Sequence, residues 1–272
     1  MRISLIFLAF MLSFSSCQKN TITGRKQLIL VNEADLQQMA LTEYKKFLTQ
    51  NKVITQGASK EQEMVSRAGK RIANAVAVFA TKQGKSDLLN GYQWEFNLVD
   101  SKDVNAWCMP GGKVVVYTGL LPIAQNEAGL AVVMGHEIAH AIGQHGNERM
   151  SQGLVQQLGG IALSVAIANE PTQTQQIFMD AYGIGSTVGG TLPFSRKQEL
   201  EADRYGLIFA AIAGYDPREA IGFWERMSKA STGQKPPEFL STHPSDETRM
   251  EKVKVYAQEA MKYYKPENQL GK

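Results

Sequence analysis

Hydrophobic positions recur with two different periods along this chain. Over 33–50 and 60–82 apolar residues return every three to four positions, the spacing of a helix with one buried face. Asn32 stands where the first of these would be capped, and Ser59, with Gln62 three residues on, has a capping-box pattern for the second. The pattern then changes. "WEFNLVDS" (94–101) and "KVVVYTGLL" (113–121) are rich in β-branched and aromatic residues, and "MPGG" at 109–112 is a turn signal between them, so a small β-sheet is expected here. Helical spacing resumes over 126–147, 151–169, 197–213, 217–230 and 245–263, with Asp216-Pro217 and Ser245 marking the last two starts. Residues 170–195, Gly/Ser/Thr-rich and poorly periodic, read as a connector. The apolar run 153–168 is short and carries glutamines and glycines, which favours a packed helix over a membrane span. These elements predict an α+β, mainly helical fold, with one domain over 32–264 and a tail over 265–272.

With 272 residues, 43% of them hydrophobic, the chain can bury one sizeable core. Its formal charge of +3 is spread along the sequence, without the Lys/Arg-rich run that tracks a phosphate backbone, so nucleic-acid partners are set aside. The start is different in kind: Arg2, an uninterrupted apolar run from Ile3 to Leu12, then small residues before Cys17, the layout of an export signal over 1–16. Phe14-Ser15-Ser16-Cys17 resembles a bacterial lipobox. That resemblance implies acylation of Cys17, a lipidated tether over 17–31, and a place in the cell envelope; Gln18 after the cysteine is compatible with the periplasmic face of the outer membrane. If Cys17 carries lipid, Cys108 has no partner for a disulfide and is expected to be a packed thiol.

The chemistry concentrates in "VVMGHEIAHAIGQH" (132–145), which holds three of the four histidines. On a helix His136 and His140 share a face, so each can aim a ring nitrogen at one metal ion. Glu137 is rotated off that face, beside the ion, where a carboxylate can take a proton from water as it attacks a carbonyl. Two histidines need a third protein ligand. A metzincin extension, HExxHxxGxxH, fits Gly143 but would need a histidine at 146, which is Gly; His145 is one place short and reads as a helix-end histidine near solvent. The other route is a downstream glutamate. In "FSRKQELEADRYG" (194–206), Glu199 and Asp203 lie four apart on one face, Glu199 placed to bind metal and Asp203 to orient a ligating histidine, while Glu201 faces elsewhere.

Taken together, "NAWCMPGGKVVVYTGLL" (105–121), "GHEIAHAIGQH" (135–145), "SRKQELEADRYGL" (195–207) and "STHP" (241–244) resemble the gluzincin metallopeptidases that include the CAAX prenyl endopeptidases, HtpX and Oma1-like proteases, with periplasmic BepA and LoiP-type enzymes nearest. The resemblance runs from about residue 22, at "ITGRKQLILV", to about 250. It implies a zincin-like domain with a small sheet beside the HExxH helix, one Zn²⁺ held by His136, His140 and Glu199, Glu137 as general base, and Asp203 behind a ligand. It also implies that His243 lies in a loop facing the metal, with a gating or oxyanion role, and gives Arg249 a structural role. The expected activity is hydrolysis of peptide bonds in misfolded or membrane-associated proteins, with a link to envelope assembly machinery. The competing reading is an envelope chaperone or assembly factor that seldom cuts. For a peptidase, an exposed edge strand around Lys113, Val114, Val115, Val116 and Tyr117 is the expected place for substrate backbone.

Overall fold

The computed structural model describes residues 17–184, 194–230 and 237–266. The export signal read over 1–16 lies outside them. Among the described residues the fold is α+β and mainly helical, as expected. An N-terminal hairpin pairs β1 (Cys17–Lys19) with β2 (Lys26–Leu28), antiparallel. Helices α1 (Glu33–Gln50) and α2 (Lys60–Lys82) follow with the caps the sequence offered: Asn32 accepts from Ala34 N–H, and Ser59 from Gln62 N–H. A sheet then forms from β3 (Val53–Ile54), β4 (Glu95–Val99), β5 (Ala106–Met109) and β6 (Lys113–Tyr117), in the order β3-β4-β6-β5.

That order corrects one expectation. Lys113–Tyr117 is not an edge: β6 pairs in parallel with β4 on one side and antiparallel with β5 on the other. Its five residues are all buried, and alternation divides them between two cores. Val114 and Val116 pack with Phe96, Leu98 and α2, while Val115 and Tyr117 pack with Trp107, Met109 and Leu36, Ala40 and Tyr44 of α1. A sheet covered on both faces explains the unbroken apolar run "VVVY". The edges are β5 and the two-residue β3; β5, whose four residues are buried, lies in a stretch for which the pattern predicts no strand.

After a short helix α3 (Leu121–Ala124), α4 (Glu127–Ile142) starts at Asn126, whose side chain accepts from Gly129 N–H. Every residue from Gly129 to Ile142 is buried, so α4 is a core helix on all sides. It ends at Gly143; Gln144 takes a left-handed backbone (φ 53°), and α5 (His145–Leu158) turns back at once. The expected helix over 126–147 is therefore two helices with a corner. The run 153–168 also breaks, at Gly159 and Gly160, before α6 (Leu163–Asn169). No helix among the described residues is long and apolar enough to cross a membrane.

The expected connector 170–195 contains a helix, α7 (Pro171–Ala181), whose Ile177, Phe178 and Ala181 enter the core; its residues 185–193 lie outside the description. Next come α8 (Arg196–Ile212), opened by a reciprocal Ser195–Gln198 capping box, α9 (Glu219–Ala230), the short α10 (Glu238–Thr242), and α11 (Glu247–Ala260). The last start is one residue later than expected, since Asp246 and not Ser245 accepts from Arg249 N–H. Cys108 is a buried free thiol, as expected, and burial pushes it well above the usual thiol range.

Two glycines set the distance between α4 and α8. A Cβ on Gly135 would lie 2.7 Å from Gly206 O, and one on Gly206 would lie 2.7 Å from His136 N, so the two backbones meet with no side chain between them. Gly206→Ala is therefore expected to destabilise by ~1–3 kcal/mol through overpacking, even though alanine is favoured over glycine in a helix by about 1 kcal/mol. Gly222→Ala on α9, where a Cβ meets only the Arg226 guanidinium, is the control and is expected to be neutral or stabilising. Urea unfolding of the two variants checks both signs.

Candidate metal centre

From the Gly135–Gly206 contact α4 runs on through His136 and His140 while α8 runs back through Asp203 and Glu199, so the two helices face each other antiparallel. His140 Nε2 comes within 3.4 Å of Glu199 Oε1, and His136 Nε2 within 3.6 Å of Glu199 Oε2. The two ring nitrogens stand 3.0 Å apart. On their other side His136 Nδ1 lies 2.9 Å from Asp203 Oδ1, without the alignment of a full hydrogen bond. The loop after α10 brings in His243, whose Nδ1 is 2.9 Å from Glu199 Oε1 and 3.2 Å from His136 Nε2. One donor atom from each of His136, His140, Glu199 and His243 falls within 4.8 Å of all the others.

This donor set fits a divalent metal ion. Two imidazole nitrogens and a carboxylate converge in a buried cluster, and while Arg249 takes Glu199 Oε2, the other oxygen, Oε1, faces His140 and His243. Burial holds His140 well below the usual histidine range, with His136 and His145 acting in the same direction against Glu199, so the ring is neutral and offers a lone pair. Burial alone would raise the Glu199 carboxyl; Arg249, His243 and His140 hold it well below the usual range, so it stays anionic. Glu137 is beside the cluster, its Oε1 unpartnered and 3.5 Å from His243 Nε2. Burial, aided by the Glu199 charge and opposed by His243 and Arg249, pushes it up to about 7.

The centre is closed. None of His136, Glu137, His140, Glu199 and His243 is more than 4% exposed. Aromatic rings seal it: Phe239 stacks on His243 with centroids 4.4 Å apart, and Phe194 lies 5.1 Å from His243 and 4.0 Å from His140. The Arg149 guanidinium covers the outer side of Phe194 at 4.0 Å. Phe239 N–H also donates to Val104 O just before the edge strand β5, and Phe194 N–H to Thr242 O, which ties the His243 segment down on both sides.

Arg249 has a larger part than its position in an ordinary helix suggested. Its Nε and Nη2 fork onto Asp203 at 2.7 and 2.9 Å, Nη1 stands 2.5 Å from Glu199 Oε2, and the same nitrogen donates to the carbonyls of His243 and Pro244. The guanidinium lies over the Trp224 ring at 4.0 Å. One buried cation thus serves a donor-set carboxylate, the Asp203 carboxylate and the loop carrying His243. His145 also differs from expectation, while Glu201 faces away from the donor set as expected. His145 is buried, not near solvent, and is outside the donor set; its Nδ1 meets His140 Nδ1 at 2.9 Å, and its Nε2 meets Glu201 Oε2 at 3.0 Å. The strand Lys113–Tyr117 takes no part in the cluster, since Lys113 Nζ is occupied by Glu95 and the Gln93 carbonyl.

The profile of peptidase family M48 matches residues 59–257. Among known proteins, the mitochondrial metalloendopeptidase OMA1 of Arabidopsis thaliana is 39% identical over 161 residues, 59% of this chain and 31% of that protein. Metalloendopeptidase OMA1 of Bos taurus is 30% identical over 271 residues, 95% of this chain and 49% of the relative. The β-barrel assembly-enhancing protease of Escherichia coli is 33% identical over 167 residues, 58% of this chain and 33% of the relative. This chain spans about half or less of the length of these relatives.

Removing Arg249 leaves two buried carboxylates uncompensated. Arg249→Met is expected to destabilise the metal-free protein by about 3–5 kcal/mol. Arg249→Lys should restore little, since an ammonium cannot fork onto Asp203 while reaching two carbonyls. Denaturant unfolding in the presence of a chelator measures both.

Proposed function

We propose, for a chain that belongs to peptidase family M48, that it is a zinc-dependent endopeptidase working under restraint in the bacterial cell envelope. The observation that carries this reading is the union of a His/His/Glu donor set with a buried carboxylate at its side, Glu137, whose Oε1 makes no hydrogen bond. His136, His140 and Glu199 are the residues that would hold the zinc, which when bound supplies Lewis acidity toward a carbonyl oxygen and lowers the pKa of water.

The chain's own residues account for the rest. Glu137, raised to about 7, is poised to take a proton from the attacking water and give it to the departing amine nitrogen. Asp203 faces Nδ1 of His136 and so favours a ring proton there, leaving Nε2 free to bind; Arg249 in turn fixes Asp203. His243 occupies the space among the donors, packed between Phe239 and Phe194. A peptide reaches Glu137 only after this segment moves, and its backbone would then run along β5, the edge strand next to β6, in place of Lys113–Tyr117.

The envelope location rests on the export signal and on Cys17 as lipid attachment point. One E. coli relative is named for enhancing β-barrel assembly, which supports substrates among misfolded or membrane-associated proteins and a link to assembly machinery. The closed site favours a second reading: a chaperone or assembly factor that cuts rarely.

Wild type, Glu137→Gln and His243→Ala, each first assayed for bound zinc, should be incubated with casein. The expected result is zinc in all three, a loss of roughly 10²–10⁴-fold in cleavage rate for Glu137→Gln, and faster cleavage by His243→Ala than by wild type. Zinc in all three with no fragments from any of them would overturn general proteolysis and favour the chaperone.

A further inference from the structure

Behind His140, on the side away from the donor set, a chain of polar groups leads out to the N-terminal hairpin. We propose that Arg25, Glu201 and His145 are positioning residues that fix the tautomer and ring orientation of His140, so that the hairpin is a working part of the metal centre. This rests on the reading of His140 as a metal ligand.

With His140 binding metal through Nε2 and both rings neutral, the contacts admit one arrangement of protons. His140 aims Nε2 at the donor set, so its ring proton sits on Nδ1. The atom facing that proton at 2.9 Å is His145 Nδ1, which must therefore accept, leaving the His145 proton on Nε2. Nε2 is 3.0 Å from Glu201 Oε2, a carboxylate oxygen that can only accept. Glu201 Oε1 accepts from Arg25 Nε at 2.8 Å. The other guanidinium nitrogens of Arg25 fork onto Glu148, Nη1 to Oε1 and Nη2 to Oε2, each at 2.7 Å. Reverse either histidine and two ring protons or two lone pairs collide.

The surroundings hold this chain in place. Asn20 and Gln27 of the hairpin both donate to the Gly143 carbonyl, at 2.6 and 2.9 Å, at the corner between the helix of His140 and the helix of His145. Gly143 itself has no space for a side chain, because a Cβ would lie 2.9 Å from His145 Nε2. Glu148 accepts a further bond from Gln198, the residue before Glu199. Hairpin, corner and ligand-bearing helix are thus joined through one network.

Metal affinity and the cobalt spectrum, read beside folding stability, separate a positioning role from a purely structural one. Arg25 and Glu201 lie nearer the surface than the donor set, their side chains 22% and 17% exposed, and Arg25 is also paired with buried Glu148, so a stability contribution comes with any effect on the metal. Outer partners of ligating histidines act on metal affinity as well, typically by ~10–100-fold.

The test uses the full-length protein. Zinc affinity is measured by competition with a chromophoric chelator for wild type, Arg25→Met, Glu201→Ala, Glu201→Gln, His145→Phe and His136→Ala; thermal unfolding of each metal-free form and the d–d spectrum of each cobalt-substituted form are recorded alongside. We expect Glu201→Ala and His145→Phe to weaken zinc binding by ~10–100-fold and alter the cobalt spectrum, with Arg25→Met in the same direction. Glu201→Gln, which keeps an acceptor for His145, should recover part of the loss. Arg25→Met also strips buried Glu148 of its partner and Glu201→Ala orphans the His145 ring proton, so both should unfold metal-free below the wild-type temperature; Glu201→Gln, which keeps an acceptor, keeps the test alive should the others fold poorly. Zinc affinity at the wild-type level in Glu201→Ala and Arg25→Met, with His136→Ala unable to bind, would overturn the relay and leave the metal site standing. Undiminished zinc binding by His136→Ala would instead overturn the metal-site reading, and the relay with it.

Discussion

Everything about this centre depends on two helix backbones touching. Gly135 and Gly206 allow α4 and α8 to approach to a distance no side chain would permit, and from that contact the helices run side by side in opposite directions. His136 then stands level with Asp203, and His140 level with Glu199. The i, i+4 spacing on each helix is thereby converted into a two-by-two array of side chains. Ligand geometry is set by rigid elements whose separation is fixed by packing, with little left for loop conformation to decide.

Such an array buries negative charge, which is costly in an apolar interior unless it is answered. Glu199, Asp203 and Glu137 are all inside, and the nearest answering cation is Arg249, itself seated on Trp224. Its bonds to the carbonyls of His243 and Pro244 mean that compensation of the charge and placement of the covering loop are performed by the same group. A displaced loop and an altered metal environment would therefore be felt by the same guanidinium.

What could be read in the sequence was whatever is local along a helix. His136 with His140, Glu199 with Asp203, and the Asn32 and Ser59 caps follow from periodicity that a single segment displays. The partners that come from elsewhere could not be read in that way. Arg249 in α11 and Arg25 in the hairpin have the local pattern of ordinary solvated arginines, and only the fold carries them to Asp203 and Glu201. His145 looked like a frayed helix end because the corner at Gln144, with its left-handed backbone, leaves no mark in the hydrophobic pattern. "KVVVY" has no polar alternation, and a strand apolar on both faces belongs in the middle of a covered sheet, which is where β6 lies. In α7, by contrast, "TQTQQ" hid a helix whose buried side is only a few residues wide.

The order in which these groups occur along the chain has a biosynthetic consequence. His136 and His243 meet across 107 residues, and Arg249, which neutralises the carboxylates beside them, comes later still. A polypeptide leaving the ribosome with α4 and α8 already made has its histidines and glutamate but lacks the counter-charge that keeps Asp203 and Glu199 in place. A chain truncated before α11 would thus carry the donor residues of α4 and α8 without the group that neutralises their carboxylates.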